Sequence, residues 1–569
     1  MTPKKILLPL LLGAALWAST AFSAPVPASP TLENLPIPGE KDFVAVAKDV
    51  IDVRFTVNPS LAAGDGLVDD AGRVPSFAPE RVAALVARLD SDIVALRAMP
   101  WRQWSVDRQI DWRWILANAE DVRLELAEEK LYLRRPASWL EPLANSYIAL
   151  LTYAPERADI REKLTGAVPG MVAEMRRVVA SPTGRDVEAA VGVAEGILSM
   201  LESESPGPEG DAASSALSEY IEELKAKTDL PEYSVIGAER YEQRLRRALL
   251  LPWSPRQLLA MAQHELAEVD AAMAELRPRI SAQLTATPAQ IELARDLDQD
   301  KLLELYDQIT RADREFLDKS DLLTVPAGLG PIRARSTPEA MIPLSGDGGS
   351  MNPPPPIGES DVGWWNVEHV TADWTIEKRT KTVVNMQEQR RTYMGPYAAH
   401  EGVPGHHLQL SIARLTPNPL RNLLWDNVMG EGWALYAEEI FWRAGGLGDS
   451  PEAEYRTLAS WRSRIRRVFY DVHVECGDWT LQQAADFKGQ ARRGQGVVDK
   501  DILRAINWPT QLIGYFAGKM QILELKEAYR EKLGAEYSER KFHDALLAEG
   551  SIPVALIRAK LLGEAVPEP

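Results

Sequence analysis

Residues 400–407 read His400-Glu401-Gly402-Val403-Pro404-Gly405-His406-His407, and Glu431 follows in Gly430-Glu431-Gly432-Trp433-Ala434-Leu435-Tyr436-Ala437-Glu438-Glu439. The chain has seven histidines, and three of them fall in the first of these stretches. Neutral imidazole and carboxylate are the ligands that borderline cations such as zinc take, and a catalytic site keeps one position open. The common zinc-peptidase motif sets its histidines at i and i+4 of one helix face; here they stand at i, i+6 and i+7. In a continuous helix His400 and His407 share a face but lie two turns, roughly 10 Å, apart. That is too far for two nitrogens that must each come within about 2.1 Å of one ion. Pro404 lacks an N–H and clashes with the preceding turn, and Gly405 tolerates unusual backbone angles. The pair predicts a helix break between Val403 and His406, which carries His406 to the place that i+4 normally fills. His407 is then a candidate for contact with substrate or for support of a ligand, and it stays open as the alternative ligand.

Glu401 projects about 100° around the axis from His400, beside an ion rather than on it. That placement suits a general base that takes a proton from water. Glu431, on a second, apolar and aromatic helix, can complete the coordination. Glu438, two turns further on the same face, is placed to orient a histidine from behind. His-Glu pairs also arise with no ligands around them, as at His264-Glu265, and isolated histidines are usually core or surface residues. Three histidines, a Glu and a helix-breaking Pro-Gly within eight residues are harder to explain by packing alone.

The rest of the chain sets the frame. Lys4 and Lys5 precede an apolar run from Ile6 to Trp17, and Ala21-Phe22-Ser23 offers a cleavage site before Ala24. Residues 1–23 therefore read as a signal peptide, too short for a membrane anchor and with no Cys at the cleavage point for a lipid. The mature protein is expected to be exported, and periplasmic in a Gram-negative host. Losing two lysines and no acids takes the formal charge from −18 to −20, which argues against nucleic acid or an anionic membrane as partner. The only cysteine, Cys476, rules out a disulfide within the chain and reads as a small buried hydrophobe.

About 545 mature residues exceed one ordinary core, so cooperating subdomains are expected. Residues 24–342 read as a helical N-terminal region, 343–360 as a Pro/Gly-rich loop, and 361–569 as the helical region with the metal site, the two regions acting as one unit. Apolar residues recur at three- and four-residue spacing in Arg81–Met99, Trp114–Leu133, Ser254–Leu276, Pro288–Phe316 and Tyr515–Leu533. Glu202–Ser215 reads as a second loop, and Val362–Val370 as one strand of a small sheet. The fold class is mostly α, with a minor β-sheet and a central cleft.

His400–Gln409 together with Glu431–Glu438 resembles the bacterial family labelled domain of unknown function 885, which is grouped with the gluzincin metallopeptidases. Gly430–Ala434 is similar to the Asn-Glu-Gly-Phe-Ala stretch that supplies the third zinc ligand in aminopeptidases of that group. Gly405-His406 is similar to the Gly-His that ends the motif in thimet-type and related carboxypeptidases. The resemblance implies a multi-helical metallopeptidase-like architecture, one Zn²⁺ held by His400, His406 and Glu431, and Glu401 as base. Arg504, Pro509, Gln511, Tyr515 and Gly518 resemble the family's Arg…Pro-Gly-Gln-Ala-Leu-x-Tyr-x-x-Gly pattern, with Thr510 in place of its Gly and Leu512 in place of its Ala. Relatives in the wider group use a Tyr to stabilise an oxyanion, which implies that role for Tyr515.

His473, in Asp471-Val472-His473, resembles a family Asp-x-x-x-His-like stretch with altered spacing. It reads as a second transition-state donor or as a core histidine held by Asp471, the latter slightly favoured. The run Arg462, Arg464, Arg466 and Arg467 either neutralises a substrate carboxylate or forms a solvated face. The function expected is an exported zinc-dependent peptidase acting on peptides or small amides. The alternatives are a metal-dependent ester or amide hydrolase, and a helical envelope binding protein with a vestigial site.

Overall fold

The computed structural model describes residues 31–280, 284–358, 360–489 and 500–569. The expected signal peptide lies outside these residues. Helices make up most of the chain, and their ends follow local chemistry. Pro79–Ala98 opens with Pro79 at its first turn, where a missing N–H costs nothing. Pro255–Leu276 is capped by Ser254, which accepts from the Gln257 N–H while the Gln257 side chain returns to the Ser254 N–H. The apolar run expected over Pro288–Phe316 is divided into Pro288–Arg295 and Gln299–Lys319, because Asp298 caps a new helix at the Lys301 N–H. Among the described residues, no helix is long and apolar enough to cross a membrane.

One loop expectation needs correction, and the other gains a short strand. Glu202–Ser215 is mostly helical: one helix runs to Glu204 and the next begins at Pro208. Only Gly207, at φ +125°, and Pro208 at the first helical position are needed to turn the chain, and acidic Glu209 and Asp211 favour the new N-terminus. Residues 343–360 hold a short strand and a wall of prolines. Strand β1 (Ile332–Ser336), β2 (Ser350–Asn352) and β3 (Gly363–Val367) form one sheet in the order β1-β3-β2. β3 pairs with β1 in parallel and with β2 antiparallel.

The largest apolar core joins both ends of the chain. It includes Trp112 and Trp139 from the N-terminal region, Trp433 and Phe441 from the Glu431 helix, and Phe542 and Leu556 near the C-terminus. Arg421 reinforces this junction from within. Its guanidinium meets Asp111 at 3.1 Å and Asp107 at 2.9 Å, and also pairs with Glu549. Removing one member of such a buried set leaves an unpaired charge, at a cost of about 3–5 kcal/mol. The Arg421 carbonyl also accepts from the Ser551 N–H, and the Ser551 carbonyl from the Asp426 N–H. Asp426 in turn caps the Glu431 helix (Asn427–Arg443) by accepting from Met429 N–H at 2.7 Å.

The Glu431 helix crosses the Tyr515 helix (Ile513–Leu533) at glycines. A Cβ on Gly432 would stand 2.5 Å from the Gly518 backbone, and one on Gly518 would stand 1.9 Å from the Val428 carbonyl oxygen. Neither contact is possible for a real side chain, so the two backbones touch only because both residues lack one. One residue beyond the crossing, buried Lys519 closes on Glu439 at 2.7 Å. Gly518→Ala is therefore expected to destabilise the protein by about 1–3 kcal/mol in denaturant titration. Gly170→Ala, in a helix with no atom near the added methyl, should instead stabilise by about 1 kcal/mol.

Candidate metal centre

The His400 helix (Met394–Glu401) ends at Glu401, and a new helix begins at His406 and runs to Ala413. Between them Gly402 and Gly405 adopt ψ of −111° and −133°, outside the usual wells of side-chain-bearing residues. A Cβ at Gly405 would lie 1.8 Å from the His400 carbonyl oxygen, so the chain folds back tightly on the helix it has just left. The Gly402 N–H donates to Ala398, which ends the first helix, and the Gln409 N–H donates to Gly405, which starts the second. The Trp433 indole N–H donates to the Pro404 carbonyl at 2.9 Å, which pins the break to the Glu431 helix.

This break brings His400, His406 and Glu431 together. Their ligand atoms all lie within 4.8 Å of one another, the one such His/Cys/Asp/Glu group among the described residues. The Glu431 Oε2 is 3.5 Å from His400 Nε2 and 3.3 Å from His406 Nε2. The two rings stand nearly perpendicular, with centroids 4.8 Å apart. At these distances Glu431 Oε2 is buried but receives no well-directed hydrogen bond. Three converging N and O ligands with an unsatisfied carboxylate oxygen among them fit a divalent cation. Behind them, His400 Nδ1 donates to Glu438 Oε1 at 2.8 Å, which fixes the ring and turns Nε2 toward the cluster.

The charges are mutually dependent. Burial opposes ionisation of Glu431, but the two imidazoles outweigh it and hold this carboxyl well below its usual range. Burial likewise disfavours His400 as a cation, yet the Glu431 and Glu438 carboxylates lift its pKa to about 9.

The cluster opens into a mostly apolar cleft of about 390 Å³. Glu401, Tyr515, Leu410 and Trp425 line it together with Pro353, Pro354 and Pro356. Tyr515 is nearly buried, and its ring lies 6.2 Å from the His400 ring. Burial and Glu431 raise its phenol pKa, while Arg467 and Arg504 act in the other direction. The arginine run separates by position. Arg462 pairs with Asp270, and Arg466 donates to the Phe487 carbonyl. Arg464 and Arg467 instead lie 5.8 and 4.8 Å over the Tyr515 ring, and Arg467 also pairs with Asp501 at 3.0 Å.

Two expected catalytic residues fall elsewhere. His407 turns away from the cluster: its Nε2 donates to the Gly330 carbonyl at 3.0 Å and the ring presses on Gly363. Burial lowers its pKa to about 4, so it is a neutral packing residue tying the new helix to β3. His473 does not pair with Asp471. It stacks on Trp479 with centroids 4.3 Å apart and meets Asp478 at 3.3 Å, and neither lines the cleft. Asp471 faces the opposite way, accepting from Tyr241 O–H at 2.8 Å, Thr510 N–H at 3.2 Å and Leu512 N–H at 3.1 Å. It thereby holds the turn that launches the Tyr515 helix, and burial raises its pKa to about 7.

Asp65 and Arg414 also line the cleft and were not singled out in the sequence. Nothing local marks them, since each reaches the site only through long-range packing.

The family model described as "Bacterial protein of unknown function (DUF885)" matches residues 59–561. No curated protein matches the chain. Two bacterial proteins are among the solved structures that share its fold. One is a protein of unknown function assigned as a lipoprotein, from Shewanella oneidensis, at TM-score 0.71 and 20% identity. The match covers 91% of this chain and 99% of that one. The other, likewise assigned as a lipoprotein, is from Colwellia psychrerythraea, at TM-score 0.67 and 18% identity, covering 91% and 98%.

Thr510 carries φ +69°, a left-handed conformation that a β-branched residue adopts at a cost of about 1–2 kcal/mol. Thr510→Gly is expected to raise stability by about 1 kcal/mol in denaturant titration, with the Asp471 hydrogen bonds retained.

Proposed function

The chain belongs to the DUF885 family of bacterial proteins of unknown function, and for it we propose an exported zinc-dependent hydrolase that cleaves peptides or small amides. The observation that carries this reading is Glu431 Oε2 held between the Nε2 atoms of His400 and His406 at the base of an open cleft. These three side chains would hold a zinc ion, which when bound would supply Lewis-acid polarisation of a carbonyl and lower the pKa of water. Three protein ligands leave a position free, whereas a structural site closes all four.

Glu401 sits at the C-terminal end of the His400 helix and faces the cleft, so it takes the proton from attacking water and passes it to the leaving amine. Tyr515, its hydroxyl protonated at neutral pH, donates to the oxyanion that forms as water adds to the carbonyl. Glu438 keeps the His400 ring in one tautomer throughout. The apolar walls limit water, which strengthens each of these interactions. The grouping with gluzincin metallopeptidases suggested by the two motifs agrees with this set of roles. Export is supported by the Lys4-Lys5 and apolar N-terminal pattern, and by the assignment of both similar structures as lipoproteins.

Purified protein is expected to carry one zinc per chain by elemental analysis. Glu401→Gln should keep that zinc and lose at least about a hundredfold in peptide hydrolysis. Wild-type protein without stoichiometric metal would refute the enzyme reading. Glu438→Gln should weaken zinc binding by about 10–100-fold in competition with a chelator, with the fold unchanged by circular dichroism.

A further inference from the structure

Asp65 lies far from the metal motif in sequence, yet it lines the same cleft as His400, Glu401 and Glu431. Its side chain is 9% exposed, and Oδ2 is buried with no hydrogen-bond partner. Burial holds this carboxyl well above the usual carboxylate range; Arg54, which makes its own ion pair with Asp121 at 4.0 Å, opposes that only in part, so the ionised form calls for a further cation. A buried carboxylate oxygen without a donor is costly, and a cationic donor would complete it.

The position of Asp65 is fixed by its backbone. Its N–H donates to Leu61 at the end of the short helix Ser60–Gly64, and its carbonyl accepts from the Ile357 N–H at 2.9 Å. Gly66, at φ +86°, packs so closely that a Cβ there would stand 2.0 Å from the Ile357 carbonyl oxygen. The Asp65 backbone is thus clamped against the proline-rich segment that lines the cleft, which fixes where its side chain starts.

We propose that Asp65 binds a primary ammonium group of the substrate and so sets which peptides the cleft accepts. The group complements an unpaired carboxylate in charge and in donor count, since an ammonium offers three N–H donors and no acceptor. No side chain that lines the cleft donates to Asp65 Oδ2. The ammonium can come from the peptide N-terminus or from a lysine side chain. This inference rests on the hydrolase reading for its substrate class but not for the site itself.

The test uses zinc-loaded Glu401→Gln protein, so that peptide is not consumed, with and without Asp65→Asn. The probes are trialanine, N-acetyl-trialanine and N-acetyl-Ala-Lys-Ala, titrated by calorimetry. At least one ammonium-bearing probe should bind about thirtyfold more tightly than N-acetyl-trialanine, and Asp65→Asn should erase the gap. Preference for trialanine identifies the N-terminus, and preference for N-acetyl-Ala-Lys-Ala identifies a lysine. Equal binding of all three, binding of none, or a gap that survives Asp65→Asn overturns the proposal. Should Asp65→Asn misfold, Asp65→Ser carries the same comparison. Failure of the hydrolase reading is distinct: wild-type protein then turns over none of the peptides while the binding gap remains.

Discussion

At Gly405 the chain passes so close to the end of the preceding helix that any side chain would collide with the His400 and Ala399 carbonyls. That fold-back is the constraint on which the centre depends. Without it His406 would sit on another face of a continuous helix, and the two imidazoles would never address one point. The cost of the break is met by contacts on all sides: the Trp433 indole on the Pro404 carbonyl, the Gly402 N–H on Ala398, and the close-packed core beneath. The same Trp433 stands two residues from Glu431, so one hydrogen bond sets the break and the third ligand in register.

The second determinant is the crossing of the Glu431 and Tyr515 helices. Their glycines let the backbones touch, and Lys519 with Glu439 locks the angle. Glu431 and Tyr515 therefore face the cleft from two helices that move as one. Asp471 reaches the same end from a third helix by holding the turn at Thr510 and Leu512. Positioning is thus spread over residues that never approach the cleft. Substitution at Gly518 or Asp471 would disturb the centre without removing any of its ligand atoms.

Much of this was legible in the sequence because the signals are local. The i, i+6 spacing with Pro404-Gly405 required a broken helix, and the apolar periodicities of Arg81–Met99, Ser254–Leu276 and Tyr515–Leu533 matched helices to within a few residues, whereas the helix under Trp114–Leu133 begins at Val106. Val362–Val370 held the one central strand. Misreadings arose where local composition was outvoted by a single residue or by tertiary packing. Glu202–Ser215 looked like a loop from its Ser, Pro and Gly content, yet a Gly207-Pro208 step needs only three residues between helices. His407 stood open as a substrate contact or alternative ligand, and His473 as a transition-state donor or a core histidine on Asp471, but the Gly330 carbonyl and Trp479 claim them, and neither partner is readable from spacing. Asp65 left no trace in the sequence, because its meaning comes from the proline segment almost 300 positions away.

The proline wall has a consequence for what the cleft can hold. β2 ends at Asn352, and the next four residues are all prolines, three of which line the cleft. Prolines offer carbonyls but no N–H groups. An extended peptide that docks by adding a strand needs both, in alternation, along the edge it joins. This edge stops at the mouth of the cleft, so a long peptide gains no ladder of main-chain hydrogen bonds beyond its first residues. Binding energy must come from the ends and side chains of the ligand, and additional length on that side contributes little.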